Sequence, residues 1–138
     1  MTPEALAALL REAKTIAVVG LSPKPWRASH QVARYLQRAG YRIVPVNPEH
    51  DAVLGERSYP TLNAAARSHP IDIVDIFRRN EFVGAIVDEA IRVEPPPRLI
   101  WLQVGVVEEA AAARAAAAGI PCVMDRCLMV DHRELLEV

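Results

Sequence analysis

Short apolar runs without internal alternation recur along this chain, each followed by a longer stretch of helical periodicity. Thr15-Ile16-Ala17-Val18-Val19-Gly20 sets the pattern: β-branched, uncharged and stopped by glycine, it reads as a strand buried on both faces. Tyr41–Val46, Ile71–Phe77, Leu99–Gln103 and Pro121–Met124 read as four more strands. Parallel strands need crossovers, those crossovers are right-handed, and a doubly buried strand needs helices above and below. The expected fold class is α/β, a single Rossmann-like doubly wound domain with a five-stranded parallel sheet. At 138 residues the whole chain, 1–138, is one domain's worth of sequence.

The intervening segments carry helix signals. Thr2 stands as N-cap before Pro3, opening a helix to Ala13. Ser29 is placed as the N-cap of a second helix whose inner face is Val32, Ala33, Leu36 and Ala39, closed by Gly40. A polar, turn-rich stretch runs from Asn47 to Tyr59, and a short helix covers Leu62 to Arg67. Asn80 is placed as the cap of a helix with Phe82, Val83, Ile86, Val87, Ala90 and Ile91 inward. Val107 to Ala118 is an alanine-rich helix stopped by Gly119, and a terminal helix is expected over Arg133 to Glu137. Pro45 costs its strand a ladder hydrogen bond, so it belongs at a bulge or near the strand's end.

Composition narrows the function classes. Sixteen basic and 17 acidic residues leave a net charge of -1, which provides no long-range field for nucleic acid or an anionic membrane. No apolar run reaches the roughly 20 residues of a membrane span. The start Met1-Thr2-Pro3-Glu4 lacks the basic character of a secretory signal, and Cys122 and Cys127 form no Cys-x-x-Cys pair. The expected location is the cytoplasm. Four scattered histidines offer no metal-ligand spacing, so no metal is expected.

In a doubly wound sheet ligands bind beyond the carboxyl ends of the strands, at the point where strand order reverses. The first such loop is Gly20-Leu21-Ser22-Pro23-Lys24-Pro25-Trp26-Arg27-Ala28-Ser29. Gly20 lets a backbone approach an anion, and the next helix aims its free N–H groups at the same place. The loop lacks the second and third glycines of the dinucleotide motif and the Gly-Lys-Ser/Thr of a P-loop. Ser22, Lys24, Arg27 and Ser29 supply side-chain donors instead, and two cations suit a polyphosphate. The plainer alternative is a glycine that only turns the chain, with Lys24 and Arg27 solvated. Trp26 either packs down on the domain or walls a ligand.

The second strand ends Pro45-Val46-Asn47-Pro48, where NAD-binding domains usually carry an acid for the ribose hydroxyls. Neutral Asn47 beside basic residues tolerates a phosphorylated ribose that a carboxylate would repel. This disfavours NAD more strongly than it separates coenzyme A from NADP.

Ala17-Val18-Val19-Gly20-Leu21-Ser22, Pro45-Val46-Asn47-Pro48, Val74-Asp75-Ile76-Phe77-Arg78-Arg79, Trp101-Leu102-Gln103-Val104-Gly105 and Met124-Asp125-Arg126-Cys127 occur in order. Together they resemble the small bacterial CoA-binding protein family, stand-alone domains related to the CoA-binding region of the succinyl-CoA synthetase α subunit. The resemblance spans about residues 10 to 133. It implies coenzyme A as cofactor, lying along the carboxyl edge of the sheet. Gly20, Ser22 and Lys24 would then face the phosphates, and Asn47 and Pro48 would border the adenosine. Phe77 and Arg78 would lie where the ligand turns toward its pantetheine arm, with Gln103 and Gly105 completing that side. The resemblance supports binding and not ligase chemistry.

Three functions compete. The first is non-catalytic binding of coenzyme A or an acyl-CoA, in a regulatory or carrier role. The second is a small enzyme acting on a CoA thioester or nucleotide through the Asp125–Cys127 loop, where a thiol near an arginine gains reactivity. The third is an NAD(P)-sensing module. No catalytic residue can be assigned from spacing. Asp75, preceding Arg78 and Arg79, is expected to form an ion pair with them. The expected partner is a small nucleotide, with no nucleic acid and no membrane.

Overall fold

The computed structural model describes residues 1–136. The chain runs α1 (Pro3–Glu12), β1 (Thr15–Val19), α2 (Ala28–Arg38), β2 (Arg42–Val46), β3 (Ala52–Val53), β4 (Glu56–Arg57) and α3 (Leu62–Ser68). It continues through β5 (Ile73–Ile76), α4 (Asn80–Ile91), β6 (Leu99–Leu102), α5 (Glu109–Ala117), β7 (Cys122–Val123) and α6 (Leu128–Leu136). Five strands form one parallel sheet in the order β2-β1-β5-β6-β7. The doubly wound α/β fold expected from the sequence is the fold observed.

Alternate residues of each central strand enter different cores. Ala17 and Val19 of β1 join Leu62, Ala65, Val83, Val87 and Ala115, from α3, α4 and α5. Ile16 and Val18 join Leu6, Leu10, Val32, Leu36 and Leu128, from α1, α2 and α6. Both faces of the sheet are therefore covered, which is why β1 shows no polar alternation. Strand order reverses between β1 and β5, where the chain leaves β2 on one side and returns on the other.

Pro45 lies one residue from the end of β2, an edge strand of this sheet. Its carbonyl accepts from the Tyr59 N–H at 3.0 Å, so its nitrogen faces the same outer side and costs the β1 ladder nothing.

Several local expectations need correction. Ser29 is not an N-cap: α2 begins at Ala28 with Arg27 in the cap position and no side-chain cap. Asn80 likewise lies within α4, capped in position by Arg79. Ala39 is exposed rather than inward, and Phe82 is 37% exposed, with Ile86 and Ile91 only partly buried. The 47–59 stretch contains the β3–β4 hairpin, turned by Leu54 (φ 54°) and Gly55 (φ 75°). Two-residue strands are too short to show a period. Helix α6 starts five residues earlier than expected, and the expected end at Glu137 lies outside the described residues. Asp131 and His132 are buried on it, so polar letters interrupt the apolar stripe a reader looks for.

Candidate functional site

The carboxyl ends of β1 and β5 meet at Gly20 and Phe77. Gly20 has φ 85°, and a Cβ there would overlap the Phe77 carbonyl oxygen and crowd Arg78 Cδ. Only glycine satisfies both constraints, the left-handed backbone and the close approach. The Gly20 N–H donates to Val46 O at 2.9 Å and the Phe77 N–H to Val19 O at 2.9 Å, so the ladders extend to the rim of the site.

The loop after β1 is held by its own side chains. Ser29 Oγ accepts from the Ser22 N–H at 3.0 Å, and Ser22 Oγ accepts from the Lys24 N–H at 3.1 Å. His30 Nδ1 lies 3.0 Å from Ser22 O. These contacts set the loop across the start of α2, whose first N–H groups have no partner within the helix and no side-chain cap from Arg27. Ser29 is thus a loop fastener rather than the expected cap.

Neighbouring loops are stitched together by single side chains. Asn47 Nδ2 donates to Leu21 O at 3.0 Å, joining the ends of β2 and β1. Asn80 Oδ1 accepts from the Val107 N–H at 3.0 Å, joining the loops after β5 and β6. Asp125 Oδ1 accepts from the Gly105 N–H at 2.7 Å, joining the loops after β6 and β7. Asn47 Oδ1 also accepts from the Glu49 N–H at 3.0 Å. Its neutral amide is used by the protein itself.

Between these loops runs a groove in three connected compartments. The first, about 540 Å³, is walled by Gly20, Arg27, Asn47, Pro48, Arg78 and Arg79, with Glu49 the one acid on it. The second, about 310 Å³, lies over Gly20, Ser22, Arg27, Ala28 and Ser29. The third, about 430 Å³, runs past Phe77 to Gln103, Val104, Gly105, Val106 and Cys127. Arg27, Arg78 and Arg79 thus stand on the first compartment's wall beside a single lining carboxylate, Glu49, while Arg79 is also paired with Glu81. The third is mainly apolar.

Most of the expected site residues gather here: Gly20, Ser22, Arg27 and Ser29 from the first loop, and Asn47, Pro48, Phe77, Arg78, Gln103 and Gly105 from the others. Three stand apart from the groove wall. Leu21 is wholly buried and contributes only its carbonyl. Trp26 is 71% exposed on the rim, so it does not pack down, and Lys24 Nζ sits 6.0 Å from its ring. Arg79, Val32 and Val106 line the groove although no ligand role was expected of them. Arg79 had a legible signal in its place directly after a strand's end.

Asp75 makes no ion pair with Arg78 or Arg79, contrary to expectation. It is fully buried; Oδ1 accepts from Gln103 Nε2 at 2.8 Å and Oδ2 has no partner. Burial pushes its carboxyl up to about 7, against a smaller lowering by the Gln103 hydrogen bond. The guanidiniums turn outward instead: Arg78 lies 4.4 Å and Arg79 5.4 Å from the Phe82 ring centre, and Arg79 contacts Glu81 at 3.4 Å. Exposed arginine keeps its hydration, whereas burial beside Asp75 would cost several kcal/mol per ion. Arg126 pairs with Asp131. Cys122 has a thiol pushed up to about 11 by burial.

The sequence model of the CoA binding domain matches residues 14–133. The chain is 40% identical over 124 residues to the uncharacterized protein YneT of Bacillus subtilis (strain 168), covering 90% of this chain and 89% of that protein. The structure of cell-free ID.343 from Thermus thermophilus superposes with a TM-score of 0.90 at 39% identity, covering 98% of this chain and 99% of that one. A hypothetical protein from Pyrococcus horikoshii OT3 superposes at 0.89 with 35% identity, covering 99% and 93% respectively. No helix among the described residues is long and apolar enough to cross a membrane.

Proposed function

This chain belongs to the CoA binding domain family, and from that premise we propose that it holds coenzyme A along the carboxyl edge of its sheet without transforming it. The observation that carries the reading is the polarity gradient of the groove. Its first compartment is lined by Arg27, Arg78 and Arg79, its second by the serine-fastened loop, and its third by Phe77, Val104 and Val106, with Arg78 and Arg79 on the boundary between the first and the third. Coenzyme A has the same order of chemistry: a phosphorylated adenosine, a diphosphate, then an uncharged pantetheine arm.

The diphosphate is taken by the loop after Gly20 and the start of α2, with Arg27 as counter-charge. The ribose phosphate lies near Asn47 and Pro48, within reach of Arg78 and Arg79. The arm passes Phe77 toward Gln103 and Gly105. The loops are already fastened to one another, which favours a regulatory or carrier role that recognises the ligand without large rearrangement.

Fluorescence tests this directly. Trp26 is exposed at the rim while Trp101 is wholly buried, so the titratable change belongs to Trp26. Coenzyme A is expected to alter that emission saturably. An equal or larger change with NADH and none with coenzyme A would refute the reading.

One observation favours a second reading, an enzyme acting on a coenzyme A thioester: Cys127 lines the third compartment. Acyl-CoA turnover that survives Cys127→Ala unchanged would count against it.

A further inference from the structure

We infer that the far end of the groove receives an apolar acyl chain, making the preferred ligand a coenzyme A thioester of a short monocarboxylic acid. This deepens the reading above and rests on it. Phe77, Arg78 and Arg79 line both the first and third compartments and so mark the near end of the third. The residues that line only the third are Val32, Gln103, Val104, Gly105, Val106 and Cys127. None carries a formal charge as an ordinary side chain at neutral pH. Among these six residues a carboxylate at the tip of an acyl group finds no cation; the compartment's two guanidiniums, Arg78 and Arg79, stand at its near end.

The loop after β6 also exposes apolar surface, through Val104 and Val107, whereas Phe82 lies under Arg78 and Arg79 at the near end. Among the described residues, the exposed large hydrophobic side chains are Met1, Trp26, Phe82, Val104 and Val107. All except Met1 belong to the carboxyl edge, on the loops after β1 and β6 and the first turn of α4. Val104 is 67% exposed. Exposed apolar side chains gathered at one edge mark a binding surface, whereas scattered ones need no explanation. Free coenzyme A ends in a small thiol after an arm carrying two amides. It leaves the valine wall uncovered; a saturated acyl chain covers it.

The magnitude is testable. Burying one methylene gives about a fourfold gain in affinity. Calorimetry with free, acetyl-, propionyl-, butyryl- and succinyl-coenzyme A is expected to show about fourfold tighter binding per methylene from acetyl to butyryl. Succinyl-coenzyme A is expected to bind no tighter than the acetyl thioester. Cys127→Trp fills the far end and is expected to compress the butyryl-to-free ratio to under about twofold. Val104→Asp, at an exposed position where folding is insensitive, is expected to lower the same ratio. A flat series with free coenzyme A still bound would overturn this inference and leave the binding reading standing. Tighter binding of the succinyl thioester would overturn it in favour of a carboxylate site. Failure of every ligand to bind would remove both.

Discussion

Asn47 Nδ2 donates to the Leu21 carbonyl at 3.0 Å, so the end of β2 is fastened to the loop that follows β1. If coenzyme A lies as proposed, the residue beside the ribose also fixes the loop that would meet the phosphates. Asn47→Asp replaces the donor with an acceptor facing a carbonyl, and adds a negative charge next to the ligand. The expected result is a loss of about 1–3 kcal/mol in stability and at least a tenfold loss in coenzyme A affinity. Urea denaturation and calorimetry on the same preparation check both.

Gly20→Ala meets two obstacles, a φ of 85° and the Phe77 carbonyl oxygen. The strain and the overlap together are expected to cost about 3 kcal/mol or more. Gly119→Ala is the control, because it shares the positive φ of 82° yet has open space around it. A smaller loss at Gly119 than at Gly20 isolates the cost of the close approach between β1 and β5.

Asp75 binds its proton more tightly in the fold, near pH 7, than in the unfolded chain near 3.8. As pH rises from about 4 to 7, the unfolded state releases that proton first, so stability falls across this window. Once ionised, the carboxyl carries a penalty on the order of 4 kcal/mol. Asp75→Asn keeps an acceptor for Gln103 and removes the titration. Thermal melts at pH 5 and pH 8 are expected to show a smaller alkaline loss in the variant than in the parent.

His132 has the opposite sign. Its ring is buried against Tyr35 and Tyr41, with Nδ1 2.9 Å from the Tyr35 hydroxyl, and burial lowers its pKa. The unfolded chain gains the proton first as pH falls below about 6.5, so stability drops on acidification. His132→Gln is expected to lose that acid-side slope. Because the two slopes oppose one another, each is read as the difference between variant and parent.

The sheet and its two helical layers were legible because β1, β5 and β6 are doubly buried and their sequences are almost wholly apolar, broken only by Thr15 at the start of β1 and Asp75 within β5. The first loop was legible for a different reason: Gly20 interrupts β-branched residues where only a positive φ fits. Capping residues misled, since Ser29 and Asn80 carry the chemistry of a cap but spend it on Ser22 and Val107, partners 7 and 27 positions away. Tertiary hydrogen bonds of that separation leave no local pattern. The Asp75 pairing failed because adjacency in sequence did not reveal that a strand points Asp75 into the core while Arg78 and Arg79 follow into solvent. Val32 and Val106 reach the groove only through the fold.

If coenzyme A is the ligand, the groove recognises a phosphorylated ribose and a diphosphate together. Calorimetry comparing coenzyme A, 3′-dephospho-coenzyme A and NADH separates the two contributions. The expected result is saturable binding of coenzyme A, weakened at least tenfold, about 1.4 kcal/mol, when the 3′-phosphate is removed, with NADH weaker still. No heat from coenzyme A at millimolar concentration, or NADH bound as tightly as coenzyme A, would contradict it.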